Sequence, residues 1–178
     1  MPPITVVFVI TGLAVFTIAL AFLGVGAKPA EGSPNPLLTV GWISLAAGLV
    51  DLLQAMYIIA ARPTPPGDPA SIPLAGLVTF YGVFFLAVGV SLIGGLDLRP
   101  VANLAVPVAI VPLFWWPFFE GGWMFRSILI VWVVAFLAVA ATVYGRLNGK
   151  VLGAILLITS LYTFLTPAAI LALGKSIP

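Results

Sequence analysis

The sequence predicts an all-α integral membrane protein built as a bundle of six transmembrane helices. The chain has 178 residues, of which 62% are hydrophobic and 7% charged, with a mean hydropathy of +1.26. A soluble domain carries about 25% charged residues, whereas here 7 Lys and Arg and 5 Asp and Glu serve the whole chain. That is too few for a polar shell. Short polar breaks also divide the chain into apolar runs of about 20 residues, the length a helix needs to cross a bilayer. Since hydrocarbon cannot satisfy the edges of an open sheet, these runs read as helices.

The first span is expected at 3–26, "PITVVFVITGLAVFTIALAFLGVG". No Lys or Arg precedes its apolar run, and the run exceeds the core of a typical leader, so a retained helix is expected. The break "KPAEGSPNP" (28–36) leads to the second span at 37–61. "RPTPPGDPAS" (62–71) separates this from the third at 72–94, and "GLDLRP" (95–100) precedes the fourth at 101–119. Pro107, Pro112 and Pro117 fall in the fourth span. Each lacks a backbone donor and crowds the preceding turn, so a kinked helix is expected there. "EGG" (120–122) and "GRLNGK" (145–150) bound the fifth span at 126–144, and the sixth runs over 151–173. Every break is rich in Pro, Gly or charge, as helix ends are.

Loops this short leave no room for an extramembrane domain, so a single domain over 1–178 is expected. Six spans put both termini on one side. Lys28, Arg99, Arg146 and Lys150 fall in the loops of the opposite side, against Arg62, Arg126 and Lys175 on the terminal side. Four against three favours termini outside. No internal repeat marks the inverted halves of a secondary transporter.

Composition excludes much chemistry. The chain has no Cys and no His, which removes disulfides, thiol chemistry, the usual nitrogen ligand for metals and the common proton switch near neutrality. No phosphate-cradling glycine loop, nucleophile elbow or metal pattern occurs. The expectation is no catalytic residue, no metal, no cofactor and no enzyme. A net charge of +2 with scattered basic residues does not point to nucleic acid.

Of the acids Glu31, Asp51, Asp68, Asp97 and Glu120, only Asp51 falls near the middle of a span, in "AAGLVDLLQAMY". Gln54 follows three residues later, on nearly the same face. An ionisable group at that depth is costly and marks a bundle-interior position. Asp51 and Gln54 therefore read either as a pore-lining or proton-coupling site, or as a hydrogen-bonded group that ties helices together.

The third span carries "LVTFYGVFFLAVG" (77–89). Tyr81 and Phe85 lie four residues apart on one face, and Trp132 and Phe136 repeat that spacing in the fifth span. Spacing alone leaves two readings, ordinary packing or the wall of a passage. Trp115, Trp116 and Trp123 read as an interfacial belt, where indole favours the headgroup level.

The segment "LVTFYGVFFLAVGVSLIGGLDLRP" (77–100) resembles the third helix and following loop of the AmiS/UreI family of urea and short-chain amide channels. "EGGWMFRSILIVWVVAF" (120–136) and "NGKVLGAILLITSLYTFLTPAAILAL" (148–173) are similar to its fifth and sixth helices, with Gly149, Lys150, Thr163 and Pro167 in register. The resemblance implies a passive channel for urea or short-chain amides in a bacterial cytoplasmic membrane. It implies a hexameric ring with one pore per subunit, feeding a cytosolic urease or amidase. Aligned through "GLDLRP", Tyr81 and Phe85 fall on the third-helix constriction and Trp132 and Phe136 on the paired fifth-helix positions. Phe80 and Phe84 are then left as ordinary packing. Thr11 and Val15 match the aliphatic lining of the first helix, and Thr159 stands where an acid occurs on the sixth. Acid-gated members use loop histidines, so histidine-based gating is not expected here. Two other readings stand beside the channel: a proton-coupled transporter that uses Asp51, and a structural membrane subunit with no conduit.

Overall fold

The computed structural model describes residues 2–29, 31–62 and 70–178. It shows an all-helical chain with six helices long and apolar enough to cross a membrane. α1 (Ile4–Leu23), α2 (Pro36–Ala61) and α3 (Ser71–Gly94) are continuous. The fourth span begins as α4 (Arg99–Ile110) and tightens into a 3-10 stretch over Val111–Phe119. α5 covers Trp123–Val143. The sixth span is composite: α6 (Gly149–Thr159), a π-helical turn (Ser160–Leu165) and α7 (Thr166–Ala172). The expected loop acid Asp68 lies outside the described residues.

Helix ends follow local chemistry. The Asn35 side chain accepts the Leu37 N–H at 3.0 Å and Pro36 opens α2, while Asn148 accepts the Lys150 N–H at 2.8 Å at the start of α6. A capping side chain satisfies a donor that the first helical turn leaves orphaned. Before α4, Asp97 Oδ1 accepts the Arg99 N–H at 2.9 Å and Oδ2 accepts Arg99 Nε–H at 2.7 Å. These side-chain and backbone hydrogen bonds from Arg99 hold the exposed Asp97 carboxyl below its ordinary range.

Two spans differ locally from expectation. The fifth starts at Trp123, ahead of Arg126, because Arg126 does not end the apolar run. Its guanidinium lies 5.3 Å from the centroid of the Trp116 ring, and its Nε donates to the Trp116 carbonyl at 3.3 Å. The long stem thus follows apolar surface while its charge finds partners. In the fourth span the prolines tighten the helix. Pro112 and Pro117 each lack a donor, so the α ladder is not continued and i→i+3 bonding takes over.

α2 and α3 pack on each other more extensively than any other pair. Gly48 allows it: a Cβ there would lie 2.4 Å from Leu86 N and 2.7 Å from Gly82 O. Without a hydrophobic drive between helices in lipid, such small residues let backbones approach closely. α2 sits at the edge of the bundle against α1 and α3, whereas the main core lies between α1, α3, α4, α5 and the sixth span.

Candidate functional site

Two cavities lie in line through this core. The first, of 280 Å³, is lined by Phe8 and Thr11 of α1, Leu77 and Tyr81 of α3, Phe119, and Phe125, Leu129 and Trp132 of α5. These come from the halves of their helices nearest the chain termini. The second, of 100 Å³, is lined by Val15 and Ile18 of α1, Phe84, Phe85 and Val88 of α3, Phe136 and Val139 of α5, and Thr159 of α6. These come from the opposite halves. Trp132 and Phe164 line both, so they form the partition between the two. Both cavities expose only apolar surface.

The partition is a collar of rings in contact. Tyr81 meets Trp132 edge-on with centroids 4.4 Å apart and stacks on Phe136 at 5.6 Å. Trp132 stacks on Phe164 at 5.3 Å, and Phe84 meets Phe136 edge-on at 4.8 Å. Phe8 of α1 reaches Phe164 at 6.5 Å. Such spacings and tilts are those aromatic pairs favour.

Polar groups around the collar are few. The Tyr81 hydroxyl is buried and has no hydrogen-bond partner among the described residues. The Trp132 indole N–H donates to Thr163 Oγ1 at 2.9 Å, and the Thr163 hydroxyl donates in turn to the Thr159 carbonyl at 2.7 Å. Thr11 is fully buried, and its hydroxyl lies 2.8 and 3.0 Å from the two carboxyl oxygens of Asp51, to which it donates. Asp51 is itself fully buried.

The structure places Tyr81 and Thr11 on the first cavity, Phe85, Phe136, Val15 and Thr159 on the second, and Trp132 on both. Asp51 and Gln54 line neither. Asp51 faces α1, and the buried side-chain oxygen of Gln54 accepts no hydrogen bond among the described residues.

One side chain stands elsewhere than the sequence suggests. Phe84, expected in ordinary packing, lines the second cavity. At 3.6 residues per turn it lies only about 60° from Tyr81, and Phe85 about 40° on the other side, so one broad inward face holds all three. Trp115, expected in the interfacial belt, is anchored: its Nε1 donates to the Pro73 carbonyl at 2.6 Å and its ring meets Phe80 edge-on at 5.9 Å. Trp116 and Trp123 are exposed. Phe164 was not singled out, although it lies five residues after Thr159, so helical spacing gave it no partner. A π turn brings it round.

The fold defines a multi-pass membrane protein whose bundle encloses two apolar cavities divided by a collar of rings. The chain belongs to the AmiS/UreI family of transporters, whose model matches residues 5–175. It is therefore a transport protein and not an enzyme. Two solved structures share the fold. The crystal structure of the urea channel from Helicobacter pylori aligns with a TM-score of 0.78 at 16% identity, over 96% of this chain and 98% of that one. The cryo-EM structure of the Helicobacter pylori urea channel in its closed state aligns with a TM-score of 0.77 at 15% identity, over 96% and 97%. No curated protein sequence matches the chain significantly.

Proposed function

We propose that this protein is a passive channel for urea and short-chain amides, one path per subunit, assembled as a homo-hexameric ring in a bacterial cytoplasmic membrane. Its 178 residues form one domain with termini outside, and its flux supplies a cytosolic urease or amidase. The observation that carries the reading is the pair of cavities in line, divided by the collar of Tyr81, Trp132, Phe136 and Phe164.

The chemistry supports small neutral solutes. A slot between aromatic faces accepts a flat molecule, and an apolar lining gives a hydrated ion nothing to replace its water. A charged substrate calls for buried countercharge, and neither cavity is lined by a charged residue. Urea and acetamide are planar and carry N–H donors, for which the unpartnered Tyr81 hydroxyl is an acceptor as the rings part. Urea as the solute is also what the two structural neighbours are named for.

The reading with Asp51 as a proton-coupling group has less support, because Asp51 lines neither cavity and bonds to Thr11 across the α1–α2 contact. A structural subunit without a conduit leaves the two aligned cavities without a purpose. The test is solute flux into proteoliposomes, with urea, acetamide and larger amides in series. Vesicles that swell no faster than empty liposomes for every solute refute the channel.

A further inference from the structure

The sixth span breaks its α pattern at the depth of the collar. Pro167 has no N–H for the Thr163 carbonyl, and its ring crowds that carbonyl. The helix widens just ahead of it. The Thr166 N–H bonds to the Leu161 carbonyl, a five-residue step, and the Thr166 hydroxyl donates to the same carbonyl at 2.8 Å. Ser160 anchors the start of the turn by donating to the Gly12 carbonyl at 2.8 Å. Gly12 permits this approach, since a Cβ there would lie 2.8 Å from the Phe164 Cβ. π turns inside α-helices are rare and frequent at functional sites.

What the turn delivers is Thr163. It is fully buried, and the direction of its bonds is determined. Its single proton goes to the Thr159 carbonyl at 2.7 Å, so its oxygen is left to accept the Trp132 N–H at 2.9 Å. An indole has one donor and no acceptor. With that donor taken by Thr163, Trp132 presents only its face and apolar edges to both cavities. Phe136 and Phe164 have no acceptor, and the Tyr81 hydroxyl has no hydrogen-bond partner among the described residues, so the indole N–H is committed to Thr163.

We propose that Thr163, delivered by the π turn, is a positioning residue that sets solute selectivity: it locks the Trp132 ring at the partition and hides its N–H from the permeant. This rests on the transport reading above and extends it to a residue that touches no cavity. The collar then has one hydrogen-bonding group for a solute, the Tyr81 hydroxyl, and a ring of defined orientation opposite it. Without Thr163 the indole loses its partner, turns, and offers its donor to whatever enters.

The test uses the full chain in proteoliposomes, with urea and the bulkier N,N′-dimethylurea as probes. Thr163→Val keeps the shape and removes the acceptor. The urea-to-dimethylurea flux ratio is expected to fall about fivefold, the factor that corresponds to one ordinary hydrogen bond, while Thr163→Ser keeps the wild-type ratio. In a Trp132→Phe background, Thr163→Val is expected to change nothing further. An unaltered ratio in Thr163→Val, or an effect that persists without Trp132, overturns the proposal. Wild-type vesicles as tight as empty liposomes refute the channel instead. The positioning claim is then decided, as it is if Thr163→Val fails to assemble, by hydrogen exchange of the indole N–H groups of the wild-type protein. The signal lost in Trp132→Phe is expected to exchange far more slowly than that of exposed Trp123, and equal rates overturn the proposal.

Discussion

Tyr81→Phe separates a transport role from a structural one, because the two predict opposite signs. The Tyr81 hydroxyl is buried with no partner among the described residues. A buried polar group left unsatisfied costs about 1–3 kcal/mol, and a hydrogen bond once made is worth about 1 kcal/mol net. Removing the oxygen therefore breaks no bond in the resting protein and relieves that cost. For a chain of this size each kcal/mol corresponds to about 2–4 °C in Tm, so the variant is expected to melt at the wild-type temperature or a few degrees higher. Flux moves the other way. If the hydroxyl meets the amide as the rings part, its loss raises the barrier at the collar by about 1 kcal/mol, or about fivefold in rate. The assay is stopped-flow light scattering on proteoliposomes with urea and acetamide, alongside detergent thermal melts of the same preparations. Unchanged amide flux refutes the hydroxyl as a solute contact. A lowered Tm refutes the premise that it lacks a protein partner.

Asp51→Asn keeps an oxygen to accept the Thr11 hydroxyl, so flux is expected to persist and to be indifferent to a proton gradient; abolished transport would restore the proton-coupled reading. Gly48→Ala forces a Cβ to within 2.4 Å of Leu86 N, and such overpacking costs about 1–3 kcal/mol, read as a lowered melting temperature with α2 pushed off α3; an unchanged Tm would show that the two helices yield freely. Amide flux is expected to be flat between about pH 5 and 7.5, the histidine range. The chain has no His, and Asp97 titrates below its ordinary value under the influence of Arg99. The stability from that depressed carboxyl is present above its unfolded value of about 3.9 and is lost only as pH falls through the lower folded value, outside the window. Steep activation in acid would overturn this.

The sequence by itself determined the class of protein and where its six membrane-length helices fall. Those follow from composition and from runs of about 20 residues, which are local properties. The expected spans meet the observed helices to within a few residues, and Asn35, Asn148 and Pro36 act through chemistry visible in their own turns. That Tyr81 with Phe85 and Trp132 with Phe136 share helix faces was legible from four-residue spacing, and only the family register favoured a channel wall over packing.

Only the tertiary structure decided which faces look inward. In lipid a helix is apolar all round, so periodicity carries little contrast between the bundle interior and the membrane. Asp51 could not be assigned from its depth alone, since its role turns on α2 lying at the edge of the bundle against Thr11 of α1. Phe84 and Trp115 depended likewise on how helices were rotated against one another. Phe164 and Thr163 depended on a single widened turn before Pro167, which shifts every later side chain round the helix axis. Pro167 and the Thr166 bonds to Leu161 open the turn locally, but where its side chains land is fixed by contacts with distant segments, Ser160 with Gly12 and Trp132 with Thr163.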